Sequence, residues 1–385
     1  MNCKVRQLDI MIFVLYLSLF KIGITSQSIQ QLIRLGMLLI LWGFIFFDFR
    51  INKAKNYMIT IPFCLCILCS SFFGYLFNYV GIQSIFNSIL YAISIYTIYY
   101  VIQLCNKNSY EFEMIDSLFK INSIYCIGSL LSMVIMGHSD NGTEITYLFG
   151  NKFVTSYFFI FWNVLYLIKY EQNIKNSKKY RNIYFLTSFV TILICKWLYC
   201  STAMLASLFL IIIYFVSANI KSLLKETKVI ILFMILMALI PFMISFIVKL
   251  DFVKYIVVEV LHKNINLTGR TAIYSNLSRI IRNSPLLGYG YGNRAVHEFV
   301  GYGNAQNGLV QIVVDYGMIG ATFFMLLVYK CIKNIGNERK QKLLVMFYIL
   351  VICSIVEITY SYMFFIVIFM ILCLDLSGDT NERKI

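Results

Sequence analysis

The chain has 385 residues, 60% of them hydrophobic and only 13% charged, a balance that a soluble protein of this length could not keep in solution. Lysine and arginine outnumber the acids 33 to 18, a formal net charge of +15. The apolar runs are continuous rather than alternating, which excludes a β-barrel as well.

Runs long enough to cross about 30 Å of hydrocarbon as helices fall near 7–25, 30–49, 57–78, 84–104, 120–137, 152–169, 183–200, 202–219, 229–249, 306–329, 342–358 and 360–377. The expected fold class is therefore an all-α polytopic membrane protein of about twelve transmembrane helices. The first run, Leu8 to Ile24, follows Lys4 and Arg6 as a signal peptide would. A second span follows at once and no small-residue cleavage site stands out, so this run counts as helix one.

Charge orients the helices. With a cytoplasmic N-terminus, the basic connectors all fall inside: Arg50-Lys53-Lys55, the 169–181 stretch, Lys221-Lys225-Lys228, and Lys330 to Lys342. The outer connectors at 26–29, 79–83, 138–150 and 359 hold no lysine or arginine. Both ends are then expected in the cytoplasm, with residues 378–385 as a tail. Attraction to acidic lipid headgroups is the usual consequence of such charge, and no nucleic acid need be invoked. The eleven cysteines sit mostly inside spans and form neither a zinc pattern nor a paired framework.

Between helices nine and ten, residues 250–305 form an outer connector far longer than the others. It divides the chain into 1–249, the loop, and 306–377. The loop holds Lys254, Lys263, Arg270, Arg279, Arg282 and Arg294 against Asp251, Glu259 and Glu298, a basic surface suited to a lipid-linked phosphate or diphosphate. After Thr268-Gly269-Arg270, the spacing of Ile273, Leu277, Ile280 and Ile281 predicts an amphipathic helix that Pro285 ends. Arg279 and Arg282 share its opposite face and can form a fork for phosphate oxygens, or simply be solvated.

Next come Leu286-Leu287-Gly288-Tyr289-Gly290-Tyr291-Gly292 and a second cluster at Gly301 and Gly303. Such glycines let a bulky ligand approach backbone amides. A potassium-channel filter is disfavoured, since no Thr-Val precedes the Gly-Tyr-Gly triplets. Tyr289, Tyr291 and Tyr302 are candidates for stacking on sugar rings.

Taken together, Gly269-Arg270, Pro285 to Gly290, Asn304-Ala305-Gln306-Asn307-Gly308-Leu309 and Asp315-Tyr316-Gly317-Met318-Ile319-Gly320 resemble the outer loop and following helix of the O-antigen ligase and Wzy-type polysaccharide polymerase superfamily. Gly150-Asn151-Lys152 and Ser201-Thr202-Ala203 are weaker echoes. The resemblance implies a GT-C-like membrane glycosyltransferase that needs neither metal nor cofactor. Its donor would be an oligosaccharide on undecaprenyl diphosphate, used at the outer face of a bacterial cytoplasmic membrane. It also implies membrane lipids, a flippase and a chain-length regulator as partners. By similarity, Arg270 with Arg279, Arg282 or Arg294 would hold the diphosphate and stabilise its departure, a role suited to a permanent cation. Where many relatives have His-Asn, this chain has Gln306-Asn307. Gln306 cannot take a proton, so His297 or Glu298 is the nearest titratable candidate for a base. Lys196, at the outer end of helix seven, is a further candidate for the phosphate region, and Asn307 for substrate binding.

His138, His262 and His297 lack metal-ligand spacing and read as interfacial. Glu357 and Asp315, near outer helix ends, read as capping or hydrogen-bonding groups within the bundle. The function these features favour is a polymerase of lipid-linked repeat units. The alternatives are a ligase using the same donor, or a flippase. A flippase would be expected to spread its charges among the helices rather than in one loop.

Overall fold

The computed structural model describes residues 3–22, 27–48, 57–136, 146–215, 222–247, 250–255, 259 and 270–374 apart from 334 and 337. His138, His262, Lys263, Thr268, Gly269 and the tail lie outside the described residues.

The helices are α1 Cys3–Leu19, α2 Gln27–Asp48, α3 Ile61–Leu76, α4 Ile82–Lys107, α5 Glu111–Met136, α6 Lys152–Lys169, α7 Glu171–Asn176, α8 Lys178–Trp197, α9 Ser201–Phe215, α10 Thr227–Ile247, α11 Asp251–Tyr255, α12 Arg270–Asn283, α13 Ala295–Val300, α14 Gly308–Ile332, α15 Glu338–Cys353 and α16 Tyr362–Cys373. Every apolar run of the sequence overlaps one of them. Four stretches, Ser28–Phe46, Ile82–Lys107, Glu111–Ile135 and Gly308–Ile332, are long and apolar enough to cross a membrane by length and composition. Leu32 and Leu39 on α2, Ile127 and Ile135 on α5, and Leu186 and Phe189 on α8 leave large apolar side chains exposed, a surface that a bilayer would cover. The chain is an all-α, multi-pass membrane protein.

Its centre is α16, where Phe364, Phe365, Val367, Ile368, Phe369 and Met370 are fully buried. Rings pack along it tilted or edge-on, with Phe324 5.7 Å from Phe364 and Tyr99 5.2 Å from Phe369. Two basic connectors meet at one end of the bundle. There Glu171 on α7 accepts from Arg339 Nε at 3.2 Å and pairs with Lys342 at 2.7 Å. Among the described residues the cysteines are free thiols.

Several boundaries differ from expectation. Helix α5 starts at Glu111 rather than near 120, because Glu111 and Glu113 suit a helix N-terminus even though they are not apolar. Between α15 and α16 lies a turn over 354–361, where a single connecting residue was expected. Ser354 Oγ bonds the Val351 carbonyl at 2.6 Å and Thr359 Oγ1 the Leu350 carbonyl at 2.7 Å, so hydroxyls hold the last turn and let the helix stop. The apolar Ile355-Val356 pair hides this stop from a hydropathy reading. A short hairpin pairs Thr146–Tyr147 with Gly150–Asn151, and Asn151 Oδ1 then caps α6 by accepting from Phe153 and Val154 at 3.2 Å each. Gly150-Asn151 is thus part of a turn and a cap.

The stretch 250–305 carries α11, α12 and α13. Ile273, Leu277 and Ile280 of α12 are fully buried, packing with Tyr289, Val296 and Val314 into a small core of their own. Its helical spacing was legible, and α12 ends two residues before Pro285.

Candidate active site

Helix α12 delivers Arg270 and Tyr274, one turn apart on one face, to the 354–361 turn. Arg270 Nη2 bonds Glu357 Oε1 at 3.0 Å, the Val356 carbonyl at 3.2 Å and Gln306 Oε1 at 3.4 Å. The Tyr274 hydroxyl shares its hydrogen between the carbonyls of Gln306 at 3.0 Å and Ile355 at 3.2 Å. Burial pushes that hydroxyl well above its usual range even beside the Arg270 cation, so it stays a donor. A non-helical turn between two helices exposes carbonyls that must find donors, and Arg270 and Tyr274 supply them. Among the described residues the buried Arg270 Nε–H has no hydrogen-bond partner. A buried, unpartnered N–H costs about 1–3 kcal/mol, and on a guanidinium it suits an anion's oxygen.

The segment 304–308 faces Arg270. Asn304 Oδ1 accepts from the Gln306 amide at 2.9 Å, and Gln306 takes the left-handed conformation, φ 52°. Asn307 is fully buried; its Oδ1 caps α14 by accepting from Val310 at 3.1 Å. Its Nδ2 reaches the Ile355 carbonyl at 3.3 Å and the Met237 carbonyl at 3.2 Å. Met237 stands four residues before Pro241 inside α10, so proline's missing N–H leaves that carbonyl free for Asn307. Gly308 bonds the Ser354 carbonyl at 2.8 Å, and a Cβ there would lie 2.9 Å from Ser354 Cβ.

Helix α14 is broken at Gly317, φ 66° and ψ −173°, and the 285–290 strand of chain lies along the break. Tyr289 bonds the Val314 carbonyl at 2.9 Å, Gly290 that of Asp315 at 2.8 Å, and Met318 that of Pro285 at 2.8 Å. The approach is so close that a Cβ on Gly317 would sit 2.1 Å from the Leu286 carbonyl oxygen. The expected role of Gly288 in admitting a ligand is therefore corrected: its open side is filled by the protein's own backbone at Asp315 and Gly317. Tyr289 is likewise buried, its hydroxyl on the Ile280 carbonyl at 2.8 Å, and faces no ligand. Asp315, at this break, accepts from Gln311 and Asn293 at 2.7 Å each.

The structure thus brings together Arg270, Gln306 and Asn307 with Glu357 and Tyr274. It places the other expected residues elsewhere. Arg279 and Arg282 are exposed, Arg279 5.5 Å from the Phe299 ring centroid. His297 is exposed on α13 and Lys196 is exposed at the end of α8. Arg294 lines a separate cavity lined by residues of α1 to α4. Glu357 and the turn around it were not read as site residues, because its partner lies 87 positions away in the chain. Its one usable signal was a carboxylate inside an apolar stretch.

Geometry and fold define a polytopic membrane protein in which helix α12 fixes an arginine against a non-helical turn between two helices. Residues 186–325, from within α8 to within α14, match the family described as O-antigen ligase, and so carry the motifs at 268–320 on which the superfamily resemblance rests. No curated protein and no solved structure matches the chain. That family acts by O-antigen ligase or polymerase chemistry on lipid-linked glycans in membranes.

Proposed function

We propose that the chain is a glycosyltransferase that joins oligosaccharide repeat units carried on undecaprenyl diphosphate into a surface polysaccharide such as a capsule. It does so at the outer face of the cytoplasmic membrane with both termini inside. The observation that supports this most is Arg270, which spends one nitrogen on Glu357, Val356 and Gln306 and, among the described residues, keeps a buried Nε–H unspent. A hydroxyl of the acceptor sugar attacks the anomeric carbon of the donor, and the bond from that carbon to the diphosphate oxygen breaks. The electron pair leaves on the diphosphate, and the hydroxyl proton passes to solvent. Charge builds on the departing oxygen, and a guanidinium already locked in place stabilises it without reorganising. Gln306 orients the acceptor hydroxyl by hydrogen bonding, since an amide takes no proton. The arrangement calls for no metal.

The runner-up is a ligase with the same donor site. Product analysis separates the two. Supplied with the lipid-linked repeat unit alone, the purified protein should build a ladder of longer lipid-linked glycans. Transfer that occurs only when a second, chemically different acceptor is added would make it a ligase instead.

A further inference from the structure

A cavity of about 940 Å³ opens among the ends of α1, α2, α3 and α4, the start of α16, and the 291–294 segment. That is the upper end of the size range of ligand pockets. Arg270, Gln306 and Glu357 do not line it. Arg34 does, and it stands within Ser28–Phe46, a stretch apolar enough to span a membrane. An ionised group at such a place is costly and marks function by default. The hydrogen bonds of Arg34 go to Ser94 Oγ at 2.9 Å, the Leu90 carbonyl at 3.2 Å and the Tyr362 hydroxyl, all uncharged. Its guanidinium also lies 5.0 Å from the centroid of the Tyr362 ring. Among the described residues Arg34 has no ion pair. Lys21 and Arg294 add two exposed cations at the lining, and none of the described lining residues is Asp or Glu. The remaining polar lining is uncharged: the amides Gln30, Gln31, Asn78, Gln83 and Asn87, with hydroxyls from Ser18, Ser84 and the tyrosines.

We infer that this cavity is a second saccharide site, which holds an acidic sugar residue of the glycan away from the reacting bond. It rests on the reading of the chain as a glycan-transferring enzyme. Cations without carboxylates set the sign of the ligand. The amides and hydroxyls set its class. Gln31 Nε2 donates to Asn87 Oδ1 at 2.7 Å and Gln30 Nε2 to the Ile22 carbonyl at 3.0 Å, yet an amide carries two N–H groups and two oxygen lone pairs. The lining therefore mixes donors with acceptors as neighbouring sugar hydroxyls require, whereas a phosphate oxygen only accepts. Tyr291, held 5.0 Å from Tyr91 by stacking, adds a rigid aromatic wall for the apolar face of a ring.

Full-length protein in phosphatidylcholine nanodiscs would be titrated with a glucuronic-acid-containing tetrasaccharide and with the same saccharide after its carboxyl groups are reduced. The acidic form should bind about tenfold tighter, the worth of one charge-assisted hydrogen bond. Arg34→Gln should remove that preference. Arg294→Gln, at an exposed position where folding is not at stake, should weaken it. The probe carries no diphosphate, so its binding reports on the cavity whether or not the protein transfers glycan, and failure of the transfer reading and failure of this one are told apart. Equal binding of the two saccharides, or a preference that survives both arginine substitutions, overturns the proposal. Loss of saccharide binding in phosphatidylglycerol nanodiscs also overturns it and makes the cavity a lipid-headgroup site.

Discussion

Asn307 Nδ2 lies 3.2 Å from the Met237 carbonyl, the acceptor that Pro241 leaves without its helical partner. A proline in one helix and an asparagine at the start of another are therefore one device, which ties α10 to the head of α14 beside Arg270. Asn307→Ala removes a cap and strands that carbonyl, and should lower stability by about 1–3 kcal/mol. Pro241→Ala restores the N–H in α10 and should recover part of the loss in the double variant. Thermal unfolding in detergent reads the cycle; additive effects would show that the two residues are not coupled.

The Gly317 break predicts a graded response among glycines. Gly317→Ala and Gly288→Ala each drive a methyl group into backbone atoms within 2.6 Å and should yield aggregated or absent protein. Gly303→Ala meets nothing within 4 Å and should behave as wild type. Size-exclusion profiles of the three would decide it, and a monodisperse Gly317→Ala protein would contradict the packing described.

Gln306→His should retain transfer, because histidine adopts the left-handed conformation more readily than most residues and can orient a hydroxyl. Gln306→Gly relieves the backbone at φ 52° but deletes the amide, so it should fold at least as well and lose turnover. Equal turnover in the glycine variant would remove the side chain from the acceptor side.

At the opposite end of the bundle, burial alone would raise the Glu171 carboxyl. Hydrogen bonding and the neighbouring cations Lys342 and Lys175 prevail and hold it down to about 2. A folded-state value below the ordinary carboxyl value of 4.5 means stability that is present above about pH 4.5 and lost as the pH falls towards 2. Unfolding temperature should therefore drop over that range, and less so in Glu171→Gln. A parallel fall in both proteins would assign the acid sensitivity to other groups.

Much of this architecture was readable before any coordinates. Apolar runs marked the helices, period 3.6 marked the buried face of α12, and likeness to a family motif singled out both Arg270 and the 304–309 segment without showing that they meet. What hydropathy could not show were the features made by contacts distant in sequence. Gly317 breaks a helix inside an apolar run because another backbone needs the space. The 354–361 turn is disguised by Ile355 and Val356 and held by Arg270 and Tyr274. Arg34 reads as one charge in an apolar helix, and only folding shows that it lines a cavity with Arg294.

In the proposed reaction Arg270, held by Glu357 at 3.0 Å, stabilises the departing diphosphate. The direct measurement is the initial rate of undecaprenyl diphosphate release from a lipid-linked repeat unit by wild type, Arg270→Ala and Arg270→Lys, each shown to be folded. The rate should fall by about 10²–10³ in the alanine variant, as when one preorganised donor is removed, and lysine should restore little, since it keeps the charge but not the fork. An alanine variant that releases diphosphate at the wild-type rate would contradict the account.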